Sequence, residues 1–332
     1  MKVVIIGGTG HIGTFLVPRL VMAGHEVTCI SRQENKPYNF HTAWKSVKMI
    51  TIDRVEADKK KIFGKQIQGL DPDIVIDMIC FTLESAKNLV EALQGRVQHF
   101  LHCGTTWVHG HSELVPTVET QKRNPFGQYG INKAAIESYL ISVSRQNGFP
   151  ATILHPGHIV GPGWMPINPA GNLNPNIFKR LAEGREIILP NNGMETLHHV
   201  HADDVAQSFM KALTSWNSAV GESFHIVSEQ ALTLRGYATA MATWYGQKTK
   251  LSFLPWEEWK KTVNQRDAEL TWDHIAHSPN FSIEKAKKLL NYQPHYTSLQ
   301  AIQESVKQYF ENEPNSTGMI SDNQKTITDI II

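Results

Sequence analysis

Apolar and polar positions alternate between two rhythms along the first half of this chain. Val3 to Gly7 is a short apolar run, the length of a buried strand. Thr14 to Val17 with Leu20 and Val21 then gives one apolar helical face. Glu26 to Ile30 reads as a second strand, Val47 to Ile52 as a third, Asp73 to Met78 as a fourth and Val97 to Cys103 as a fifth. A helix over roughly Glu84 to Leu93 separates the last two. Lys133 to Asn147 has helical spacing at Ile136, Tyr139, Leu140 and Val143. Strands alternating with helices across short turns predict an α/β fold with a parallel sheet covered on both faces. Ligands then belong at the carboxyl ends of the strands.

The second half is more broken. Pro162, Gly163, Pro166, Pro169, Gly171 and Pro175 mark a long loop. Helices are expected over Ile177 to Glu183, residues 203–214, from Trp256 and over Leu299 to Phe310. Strands are expected over Ile187 to Leu189 and Phe224 to Val227. Trp256 and Trp259 share a helical face and read as core. Ser282 is placed as an N-cap. The polar stretch 33–46 reads as a loop, and Lys59 to Lys61 as a solvated face. Residues 313–332 look like a tail, with Ile327 to Ile332 a candidate edge strand.

Glycines give the first turn a chemical meaning. Gly7, Gly10 and Gly13 follow the first strand and open the first helix. One permits the sharp turn, one lets backbone approach a pyrophosphate, and one lets helix and sheet pack closely. The helix N-terminus offers free N–H groups to the anion. Thr9, His11 and Ile12 complete that loop. At the end of the second strand stand Ser31 and Arg32, with no acid to meet a ribose hydroxyl. An arginine there pairs with a 2′-phosphate, which favours NADP over NAD, the alternative. Asp53 is placed at the adenine edge or, equally, at a strand-end turn. Met78, Ile79 and Cys80 lie beside the cofactor.

The fifth strand runs into Thr105, Thr106 and Trp107. Tyr129 and Lys133 stand four apart, on one helical face. An ammonium near the phenol favours phenolate and lowers a pKa of about 10, fitting Tyr129 for acid/base work. Thr105 would hydrogen-bond the reacting oxygen.

These pieces together resemble the extended short-chain dehydrogenase/reductases of the NAD-dependent epimerase/dehydratase family. The matching residues are Gly7 to Gly13, Thr105 in its Cys-Gly-Thr-Thr-Trp setting, Tyr129 with Lys133, His155-Pro156-Gly157-His158-Ile159-Val160-Gly161-Pro162, and His201-Ala202-Asp203-Asp204-Val205-Ala206. The resemblance implies a Rossmann-type doubly wound sheet over residues 1–160, rejoined by 201–230. It implies a smaller mixed α/β substrate domain from 161–200 and 231–312. It implies hydride transfer at a carbinol carbon of a sugar-like substrate, with Tyr129 as acid/base, Thr105 its partner, and Lys133 also holding the nicotinamide ribose. Pro156 and His158 would line the cofactor, and Thr106, Trp107, His155 and His158 the substrate. Thr106-Trp107 stand where family dehydratases carry Asp-Glu, which argues against water elimination. Leu197 stands where nucleotide-sugar epimerases carry a diphosphate-binding Arg; Arg180 or Arg185 would have to replace it. A further resemblance, partly in Asp77-Met78-Ile79-Cys80-Phe81, is to plastid RNA-binding, epimerase-like proteins. It implies the alternative of a non-catalytic NAD(P)-sensing or RNA-associated protein. In resembling proteins the Tyr129 helix joins a homodimer.

Composition narrows the rest. A formal charge of +1 over 332 residues argues against a broad nucleic-acid surface. Cys29, Cys80 and Cys103 form no C-x-x-C pair and suggest a reducing, cytoplasmic setting. No signal or membrane-spanning run is read. The histidine groups 109/111 and 198/199/201 lack completing ligands, so no metal is expected.

Overall fold

The computed structural model describes residues 1–32 and 36–311. The first half builds β1 (Lys2–Ile6), α1 (His11–Met22), β2 (Glu26–Ser31), β3 (Lys48–Thr51), α2 (Arg54–Lys59), α3 (Phe63–Gln68), β4 (Ile74–Asp77), α4 (Leu83–Leu93), β5 (His99–Cys103), α5 (Gly127–Asn147) and β6 (Ala151–Pro156). Then come β7 (His158–Val160), α6 (Asn176–Ala182), β8 (Ile187–Pro190), β9 (Thr196–Leu197), β10 (His199–His201), α7 (Ala202–Thr214), α8 (Trp216–Ala219), β11 (Ser223–Ile226) and β12 (Leu232–Thr233). The chain closes with α9 (Leu234–Trp244), β13 (Leu251–Leu254), α10 (Trp256–Trp259), α11 (Gln265–His277), α12 (Glu284–Leu290) and α13 (Ser298–Glu311).

Seven parallel strands form the central sheet in the order β11-β6-β5-β4-β1-β2-β3. The order reverses beside β1, so the crevice opens at the ends of β1 and β4. Side chains alternate across β1 as the pleat requires. Val3 and Ile5 pack with Leu16, Val17, Val205 and Phe209 on one face. Val4 and Ile6 pack with Phe63, Leu89 and Leu140 on the other. Both faces are covered by helices, so β1 carries no polar side-chain stripe in its interior. Each fully buried Val, Leu or Ile contributes about 1.5–3 kcal/mol. Burial of Leu16 and Leu20 thereby seats α1 with its N-terminus at the crevice.

A third apolar cluster gathers Phe178, Leu189, Tyr237, Met241, Trp259 and Ile302 on the other side of the crevice. Trp259 is buried there and stacks with Trp256, as the helical spacing anticipated. Arg19 of α1 and Asp203 of α7 join at 2.5 Å. Ser282 accepts from Glu284 N at 3.3 Å, but Ile283 is the capping position of α12. Among the described residues no helix is long and apolar enough to cross a membrane. The tail 313–332, with Ile327 to Ile332, lies outside the described residues.

Candidate active site

The glycine loop has the geometry its spacing predicts. Gly7 adopts φ +87, and a Cβ there would meet Ile79 at 2.7 Å. A Cβ on Gly13 would lie 1.9 Å from the Gly8 carbonyl oxygen, so only glycine lets α1 start so close to the loop. Gly10 caps α1 without a side-chain hydrogen bond, and the first turn holds no acid. These N–H groups therefore remain for an anion. The arrangement fits the pyrophosphate of a dinucleotide, with Met78 and Ile79 half-buried across the crevice. Ser31 is buried at the end of β2, and Arg32 beside it is exposed.

Two expected neighbours of the cofactor are engaged otherwise. Asp53 Oδ1 accepts from Glu56 N at 3.1 Å, so this carboxylate caps α2. Cys80 is buried, with its Sγ 3.6 Å from the Thr82 carbonyl oxygen. Burial pushes its thiol up to about 11. Beneath them lies a network the sequence reading missed. Arg54 Nη1 reaches Asp77 Oδ1 at 2.5 Å, and Arg54 Nε donates to Ser85 Oγ at 3.0 Å. This buried pair ties the start of α2 to the end of β4.

The structure brings Thr105, Tyr129 and Lys133 together. Tyr129 lies in the first turn of α5, which begins six residues before the predicted start. The Tyr129 ring meets Trp107 edge-on at 5.9 Å. Thr105 Oγ1 accepts from Trp107 N at 3.3 Å, and Thr105 favours the ionised form of the neighbouring phenol. Lys133 is buried, donates to the Cys103 carbonyl oxygen at 2.8 Å, and lies 4.9 Å from the Phe81 ring centroid and 5.9 Å from that of Tyr129. The lowered phenol pKa expected from this lysine is corrected. Burial, followed by the Cys103 thiol, holds Tyr129 above its ordinary value, while Thr105 pulls it down. Burial also lowers the Lys133 ammonium. Desolvation dominates because this phenol is set into an aromatic wall.

His155, expected against the substrate, is instead wholly buried. Its Nδ1 accepts from Thr105 N at 3.0 Å, and its Nε2 sits 3.0 Å from Glu137 Oε1. Glu137 is one further turn along the face that carries Tyr129 and Lys133, and Arg123 grips it at 2.6 and 2.9 Å. The i, i+4, i+8 spacing was the available signal for this third rung. Pro156 is buried at the end of β6.

Imidazoles line the opposite side of the crevice. His158 is half-buried, 4.8 Å from the His274 ring and 5.7 Å from His199. Trp107 stacks on His277 at 4.3 Å, which stacks in turn on Phe126 at 4.1 Å. Thr106 is buried beside Trp107. The Nδ1 of His274 faces the carbonyls of Gly171 at 2.9 Å and Leu270 at 2.6 Å; that of His277 faces Asp273 O at 2.5 Å. Carbonyls only accept, so both Nδ1 atoms carry hydrogen and both Nε2 atoms present lone pairs. Burial lowers both rings to about 4, so they are neutral at pH 7. Arg180 donates to Glu186 O, and Arg185 to Glu183 at 3.1 Å. Elsewhere His109 pairs with His225 at 2.8 Å, and His111 bonds Ala276 O at 2.7 Å. No cluster of three or more metal-ligating side chains occurs among the described residues.

The chain matches the model of the NAD dependent epimerase/dehydratase family over residues 3–226. It is 26% identical to the chloroplast stem-loop binding protein of 41 kDa b of Arabidopsis thaliana, over 92% of this chain and 78% of that one. It is 23% identical to the UDP-glucose 4-epimerase of Mycolicibacterium smegmatis, over 94% and 99%. Its fold is that of the UDP-glucose 4-epimerase of Thermotoga maritima, with a TM-score of 0.72 and 19% identity over 94% of this chain and 100% of that one. With the family match spanning two thirds of its length, and the glycine cradle and Tyr129–Lys133 pair at one crevice, this chain belongs to the NAD-dependent epimerase/dehydratase family.

Proposed function

We propose that this protein is an NAD(P)-dependent epimerase or reductase acting at a hydroxyl or carbonyl carbon of a sugar or nucleotide-sugar-like molecule. The observation that carries this is the convergence of Thr105, Tyr129 and Lys133 at the crevice that holds the glycine cradle. When bound, the nicotinamide supplies the acceptor or donor of hydride. Tyr129 exchanges the proton of the reacting oxygen, and Thr105 fixes that oxygen by a second hydrogen bond. Lys133, anchored on Cys103 O, holds positive charge beside the Tyr129 ring and would hold the nicotinamide ribose. Because burial favours the neutral phenol, proton loss from Tyr129 draws on this charge, to which an oxidised nicotinamide would add when bound. The lone pairs of His274 and His277 suit a partner rich in hydroxyl donors. With Thr106-Trp107 after Thr105, the site lacks an acid pair for water elimination.

The UDP-sugar named for two similar proteins makes UDP-glucose and UDP-galactose the first substrates to try. Wild-type protein and Tyr129→Phe are compared for interconversion and for NADH binding. Loss of turnover with binding retained is expected. Undiminished turnover removes Tyr129 from the chemistry. For the cofactor, the family description favours NAD. Arg32, exposed at the end of β2, favours NADP instead; parallel titrations decide.

A second reading rests on the likeness to the stem-loop binding protein: an RNA-associated protein that keeps the dinucleotide fold. RNA binding that weakens with salt and survives Tyr129→Phe would support it. Absence of RNA binding at low salt would sink it.

A further inference from the structure

The N-terminus of α1 is roofed from the opposite side of the crevice. His11 is the first residue of the helix, so its own N–H belongs to the anion site. Trp164 stacks on the His11 ring at 4.3 Å with an interplanar angle of 27°. Tyr38 closes the edge, 5.0 Å from His11, while its N–H donates to Thr14 Oγ1 at 3.1 Å. The glycine loop is accordingly covered, with Thr9 8% and His11 5% exposed.

The turn that delivers Trp164 is built for that reach. Gly161 and Gly163 hold φ +149 and +85, and Trp164 N donates to Gly161 O at 3.2 Å. A Cβ on Gly163 would lie 2.3 Å from the Tyr38 ring. From behind, Ser305 of α13 donates to the carbonyls of Gly161 and Trp164. The base of the turn is thus fixed on the substrate side, and the indole crosses to α1. Trp164 itself remains half-exposed.

We propose that Trp164 is a cofactor-retaining residue, whose stack on His11 must part before a dinucleotide can enter or leave the glycine cradle. The proposal rests on the NAD(P)-dependent reading above. It adds that the cofactor stays through many cycles, as a reaction needs when it reoxidises its own cofactor in place. A reductase, by contrast, must exchange cofactor at every turnover.

The test is the dissociation rate of NADH, followed by stopped-flow fluorescence when the loaded, full-length protein is chased with excess NAD. Trp164→Ala should speed release about tenfold, the scale of one lost aromatic stack. Trp164→Phe should restore most of the slow release. Gly163→Ala should also speed it, since the added methyl drives the turn off Tyr38 without touching the indole. Far-ultraviolet dichroism establishes that each variant is folded; if Trp164→Ala is not, Gly163→Ala with Trp164→Phe decides. NADH that binds and leaves within twofold of the wild-type rate in both Trp164→Ala and Gly163→Ala overturns the retaining role while leaving the cofactor reading intact. Failure of wild-type protein to bind either NADH or NADPH overturns both.

Discussion

Lowering the pH from 7 to 5 should unfold this protein, and the imidazoles set the magnitude. His99, His198, His201, His274 and His277 are each at most 4% exposed, and burial lowers each to about 4. His11, His109 and His199 are lowered to about 3 by the same cause. An unfolded histidine titrates at about 6.5. Below that value the unfolded chain takes up protons the folded chain refuses. Stability is therefore complete above about pH 6.5 and falls continuously down to about pH 4. At pH 5 each such ring costs about 2 kcal/mol, from 1.5 units at about 1.4 kcal/mol per unit. The five rings held near 4 together give about 10 kcal/mol, within the usual total stability of about 5–15 kcal/mol. Urea titrations at pH 7.5, 6.5, 5.5 and 5.0, read by tryptophan fluorescence, should show a midpoint that falls steeply below 6.5. The slope of stability against pH should correspond to uptake of at least three protons at pH 5.5. A midpoint unchanged between pH 7.5 and 5.0 would refute the argument that these rings are held neutral.

Three further outcomes follow from the same geometry. Glu137→Ala leaves Arg123 and buried His155 without their carboxylate and should cost about 3 kcal/mol in urea unfolding; a loss under 1 kcal/mol would show the ladder to be unimportant. Gly13→Ala places a methyl 1.9 Å from Gly8 O, so NADH binding should be lost in calorimetry, and retained affinity would discredit the cradle. Arg32→Ser should lower affinity for NADPH relative to NADH several-fold if Arg32 meets a 2′-phosphate, while an unchanged ratio removes that role.

The order of the strands to Cys103, with helices α1 and α4, was readable because burial makes β1, β2, β4 and β5 short apolar runs and each of those helices a periodic one; the short α2 and α3 were not read. Burial alone writes that pattern. The start of α5 was less readable. Gly127, Gly130 and Asn132 are poor helix formers, and tertiary contacts of Tyr129 and Lys133 hold the first turn. The helices α9 and α11 escaped the reading altogether. In α11 the signal was local, since Asn264 accepts from Asp267 N at 2.8 Å as a cap. The inward turn of His274 and His277 left none, because the i−4 carbonyls of Leu270 and Asp273 that face their Nδ1 atoms are open to any helical histidine, and Gly171 O, which also faces His274, lies far away in sequence. His155 was assigned to the right neighbourhood and the wrong side of it. Its partners, Glu137 and Thr105 N, are fixed only by how α5 crosses β5 and β6. The cap made by Asp53 and the Arg54–Asp77 pair show the same limit.

Along α5 the three rungs 129, 133 and 137 divide their labour unevenly. Lys133 and Glu137 are bound into backbone carbonyl and ion-pair contacts, whereas the neighbour that acts on the hydroxyl of Tyr129 is Thr105. On the proposed reading, a single oxygen atom thus separates an active catalyst from an inert one on an undisturbed scaffold. Descent into a purely ligand-reading role would need only one nucleotide change, Tyr to Phe, with little selection against it from stability.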